Sequence, residues 1–153
     1  MATNPKHKKK TSAQKDKYTN SPDTWCEHGE IFGRAARELF ASGNPFFYFP
    51  AALVGHQALE MLLKAALLRQ GLKIQDVWGH DLVELANKLT ASGITLHAEV
   101  FKVAQNFNAY FKELRYPQEL EDVHELGEAE GERLDDAIRY VLPYARPPKI
   151  RLK

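Results

Sequence analysis

Cys26 is the chain's single cysteine, so no internal disulfide can form. That usage fits a reducing compartment. No window holds the roughly 18 uninterrupted apolar residues of a membrane span. The richest stretch, Pro50 to Leu68, is interrupted by His56, Gln57, Glu60 and Lys64. The opening MATNPKHKKK lacks the apolar run of a secretory signal. These absences point to a cytoplasmic protein with no membrane contact. Alternating apolar and polar residues are missing too, as are internal repeats, which argues against sheets and solenoids. Phosphate loop, dinucleotide fingerprint and nucleophile elbow are all lacking. The chemistry those motifs carry is therefore not expected.

What remains has an ordinary globular balance, 44% hydrophobic and 27% charged. A chain of 153 residues suits one domain with a real core. The net charge of +1 hides an asymmetry. Residues 1–21 hold six lysines against one aspartate. Residues 146–153 hold Arg146, Lys149, Arg151 and Lys153 and no acid. The body, 22–145, has 11 basic and 19 acidic residues. The expected organisation is a disordered basic tail over 1–21, a folded acidic body, and a basic proline-containing tail over 146–153. A basic arm can hold phosphates. This one carries a single aromatic, Tyr18, and no arginine, so a solvated tail is the simpler reading.

Five helices are predicted. Ser21-Pro22-Asp23 supplies a cap, a first-turn proline and a first-turn acid for a helix reaching about Ala41. Ser42-Gly43-Asn44-Pro45 stops it. Phe46 to Phe49 has strand propensity but leads straight into a second helix, about Phe47 to Gln70, apolar nearly all round. A linker spans Lys73 to Gly79. His80-Asp81 opens a third helix bearing Leu82, Leu85, Ala86 and Leu89. A fourth, about Ala98 to Leu114, repeats Val100, Ala104, Phe107, Phe111 and Leu114 at helical spacing. Arg115-Tyr116-Pro117 breaks it. A fifth, about Glu128 to Tyr144, points Leu134, Ile138, Val141 and Leu142 inward. Short connections imply an all-α up-and-down bundle with the second helix at its centre.

That central helix has one polar stripe. His56, Gln57, Glu60 and Lys64 fall within about a quadrant at roughly 100° per residue. Glu60 and Lys64 are four apart, in the favourable order for an ion pair. The stripe is either a solvated edge or satisfied network, or a ligand or partner site. His56 and Glu60 have a spacing that metal ligands can use, but no third ligand is evident, so neither a metal nor another cofactor is expected. His80 beside Asp81 reads as part of a helix cap.

Three pieces in order, HQALEMLLKAALL at His56–Leu68, GHDLVELANKL at Gly79–Leu89 and LRYP at Leu114–Pro117, resemble the HEPN family (higher eukaryotes and prokaryotes nucleotide-binding). The resemblance spans roughly 22–145. It implies a four- to five-helix bundle, commonly a homodimer, that binds a nucleotide or RNA or partners a nucleotidyltransferase-type protein. A toxin–antitoxin or defence context goes with it. A cutting branch of the family uses an arginine and a histidine four to six positions on. Here Arg115 is followed by Tyr116 and Pro117, and His124 comes only after eight intervening residues. The reading is therefore a non-catalytic module that binds a nucleotide, RNA or a protein, through His56, Gln57, Glu60, Lys64, Arg115 and Tyr116. Two alternatives stay open: a divergent metal-independent ribonuclease using Arg115 and His124, and a purely structural helical adapter.

Overall fold

A computed structural model describes residues 18–114 and 126–149 of the chain. Its elements are five helices in the expected order: α1 (Pro22–Ala41), α2 (Tyr48–Arg69), α3 (Leu82–Ala91), α4 (Ala98–Leu114) and α5 (Glu128–Ala145). No strand occurs among the described residues. Short 3-10 turns, Pro45–Phe47 and Ile74–Val77, precede α2 and α3.

The starts of the helices follow local chemistry. Ser21 Oγ accepts the Thr24 backbone N–H at 3.3 Å, with Pro22 in the first turn and Asp23 beside the positive end of α1. Asp81 Oδ1 accepts the N–H groups of Val83 and Glu84 at 3.0 and 3.1 Å and so caps α3. The Phe46–Phe49 run does not become a strand. Asn44 Oδ1 accepts the Phe46 N–H at 3.1 Å, which folds the aromatics into the 3-10 turn that feeds α2. At the far end of α2, Gly71 takes φ +92°, a left-handed backbone that glycine adopts without penalty.

Helix α2 is the centre of the bundle and packs against each of the other four helices, most extensively against α1. Leu59, Leu62, Leu63 and Leu67 are fully buried along it. The close approach of α1 depends on Gly29, where an added Cβ would fall 2.7 Å from Leu62 Cγ. The same holds for Gly55 of α2, where a Cβ would fall 2.6 Å from Leu134 and 2.8 Å from Phe107. The stretch Pro45–Arg69 is long and apolar enough to cross a membrane by length and composition. The other helices bury 78% of its most apolar window, which accounts for that apolarity as a core helix.

The charge pattern groups Tyr18 to Ser21 with the basic arm, but these residues lie against the bundle. Thr19 accepts the Trp25 indole N–H at 2.8 Å through its backbone carbonyl, and Asn20 Oδ1 accepts the Ile74 N–H at 2.8 Å. At the other end, Arg146 pairs with Glu30 of α1. Residues 1–17 and 150–153 lie outside the described residues.

Candidate functional site

Three of the four stripe residues are buried: His56, Glu60 and Lys64 are 1%, 5% and 3% exposed. Charges taken out of water are costly unless paired. Here Glu60 is the hub of the pairing. Its Oε1 accepts from Lys64 Nζ at 2.8 Å. His80 Nδ1, arriving from the segment before α3, stands 2.9 Å from Oε1 and 3.1 Å from Oε2. His56 Nδ1 stands 3.8 Å from Oε2. Burial pushes the Glu60 carboxyl up, but the His80 bond and the Lys64 charge outweigh it and hold it below the ordinary carboxylate value.

His56 has the opposite balance. Burial favours its neutral ring and lowers its pKa, overriding Glu60, the Asn108 side chain and the His80 backbone, which favour the charged form. Among the described residues, neither ring nitrogen has a partner at hydrogen-bonding geometry. The ring lies flat on Phe111 of α4, centroids 4.1 Å apart and planes within 13°.

The Lys64 ammonium sits beneath two indoles, 5.4 Å from the Trp25 ring centre and 5.6 Å from that of Trp78. Tyr18 packs on Trp78 at 4.8 Å. Together these groups wall a cleft of about 540 Å³. Tyr18, Thr19, Thr24, Trp25 and His28 line it from the α1 side. Gln57, Glu60, Met61 and Lys64 line it from α2, and Trp78 and His80 from the linker. Beyond His80 lies a smaller cavity of about 200 Å³, bounded by Asp81, Asn108, Phe111 and Lys112. His80 is thus a wall between the two. Asn108 fixes that wall's base by accepting the Leu82 N–H and donating to Asp81 Oδ1, both at 2.9 Å.

The cleft can hold a flat ring against an indole. An ammonium has three protons, and Lys64 gives one to Glu60, so the rest can meet an acceptor on such a ring.

The fold brings the predicted stripe together: Gln57, Glu60 and Lys64 face the cleft, and His56 lies behind Glu60 towards α4. Arg115, Tyr116 and His124 lie outside the described residues. Sequence reasoning missed the rest of the lining. Trp25 reads as a core residue of α1, Tyr18 as a stray aromatic of the tail, and His80 as a neighbour of the Asp81 cap. Trp78 lies in a linker without periodicity. The one available signal was Trp78, a large aromatic in a linker with no core pattern of its own.

Comparison with known proteins adds two findings. Residues 23–142 match the HEPN domain family. Among solved structures, TT1696 from Thermus thermophilus is similar, with a TM-score of 0.64 and 23% identity, covering 83% of this chain and 97% of that one. At that identity the likeness speaks for the fold alone. The comparison with curated proteins gives no match.

Proposed function

The chain belongs to the HEPN domain family, and on that premise we propose that it is a non-catalytic module that binds a nucleotide in the cleft between α1, α2 and the linker. One observation carries this reading: both tryptophans of the chain stand around one buried lysine at the floor of the cleft. Stacking of a base on an aromatic side chain contributes about 1–3 kcal/mol and tolerates any base. The Lys64 ammonium supplies donors for the acceptor edge of that base. Its pairing with Glu60 leaves the floor formally neutral, so a neutral base fits there better than a phosphate. The phosphate then lies at the mouth, beside His28 and His80. The spacing of Arg115 and His124 in the sequence supports binding over cleavage.

The two tryptophans make the test direct. Titration with AMP, GMP, CMP and UMP should quench intrinsic fluorescence saturably, because no indole lies elsewhere in the chain. Trp78→Ala should weaken AMP binding roughly five- to hundredfold, matching the loss of one stacking contact. Flat titrations with all four nucleotides at millimolar concentration, in fluorescence and calorimetry, would overturn the proposal.

A further inference from the structure

We propose that His80 is the phosphate-contacting residue of the cleft and that it binds the phosphate only with uptake of a proton. The inference rests on the nucleotide reading above. Its basis is the tautomer that the geometry imposes. Glu60 is held ionised by Lys64 and His80, so it can only accept. His80 Nδ1, 2.9 and 3.1 Å from its two oxygens, must therefore carry a proton. In the neutral ring Nε2 is then a bare acceptor, and a lone pair facing a phosphate oxygen repels it. Protonation turns Nε2 into a donor. The resulting imidazolium bridges the buried carboxylate and the phosphate with one charge-assisted bond on each side.

The surroundings favour this division of labour. The His80 side chain is 61% exposed, whereas the carboxylate it holds is 6% exposed, so the ring reaches from the floor to the mouth. The charged and titratable groups around it come from every neighbouring element: Glu60, Lys64 and His56 of α2, His28 of α1, Asp81 on its own segment, and Lys112 of α4. Among the cleft-lining residues, Lys64 already neutralises Glu60. The charge that selects a nucleotide over its nucleoside must therefore come from a histidine, and His80 is the one fixed in place by a buried partner.

Calorimetric titration of the full chain with AMP and with adenosine from pH 6.5 to 8.5 tests this. AMP affinity should fall as pH rises from 6.5 to 8.5, by up to about tenfold per pH unit, the slope of one linked proton, while adenosine affinity stays flat. His80→Asn keeps a donor at the Nδ1 position and removes Nε2. In that variant AMP should bind like adenosine, about tenfold or more weaker than wild type near pH 6.5. The phosphate's own titration is common to both proteins and cancels in the comparison. Binding of AMP and adenosine with equal affinity and no pH dependence would overturn the role of His80 and leave the nucleotide reading standing. So would an AMP pH profile that survives in His80→Asn. Failure of both ligands to bind would remove both proposals.

Discussion

The two flanks of α2 solve the same problem by opposite means. On one flank Ala58, Leu62 and Ala65 are buried by neighbouring helices and need nothing but close contact. On the other flank His56, Glu60 and Lys64 are buried to the same degree, but Glu60 and Lys64 depend on each other and on His80. Apolar packing is non-directional and tolerates repacking. A buried ion pair is directional, and one missing member leaves an uncompensated charge. The apolar flank therefore holds the bundle together. The polar flank places a lysine, a carboxylate and two histidines at fixed distances, and a buried pair of this kind is often near neutral for stability when replaced whole by apolar residues.

Three measurements test this contrast. The largest effect is expected from removing one member on either flank. Glu60→Ala strands the Lys64 ammonium and the His80 ring, and should cost about 3–5 kcal/mol in denaturant unfolding. Leu62→Ala should cost about 2–5 kcal/mol through its cavity. The flanks differ in what rescues them. The double variant Glu60→Leu, Lys64→Met should recover most of the Glu60→Ala loss, ending within about 1 kcal/mol of wild type, while AMP no longer quenches the tryptophans. A double variant as unstable as Glu60→Ala would refute the view that the polar flank is neutral for stability.

The smallest effect is in pH. The folded state holds His56 below its ordinary value of 6.5. As pH falls below 6.5 the unfolded chain takes up a proton there that the folded chain refuses, so stability drops with acidification. The slope is at most about 1.4 kcal/mol per pH unit for one proton. His56→Gln should flatten that first decline. Glu60, held below its ordinary 4.5, gives stability that is present above 4.5 and lost as pH falls further. The second decline should therefore persist in His56→Gln and shrink in the Leu/Met double variant, leaving the part due to Asp81, which is also held below its ordinary 3.8. Thermal melts between pH 8 and pH 3 would show both steps.

The sequence alone dictates the helices and their order. The Ser21 cap, Pro22 and Asp23 mark the start of α1, and the spacing of Val100, Ala104 and Phe107 marks α4, because capping and amphipathic period are local properties of the chain. It also determined the polar stripe, since residues three or four apart share a helix face whatever lies opposite. What lies opposite that face is set by packing between elements. Periodicity says which face Lys64 is on, but not that Trp25 of α1 and Trp78 of the linker would close over it. His80 reads locally as an appendage of the Asp81 cap. Its bond to Glu60, twenty residues away, exists because α2 and α3 pack side by side. The family pieces shared this limit: they identified the bundle and left the cleft to be found. The polar stripe thus became a buried carboxylate–lysine pair under two indoles, through long-range packing that no local pattern encodes.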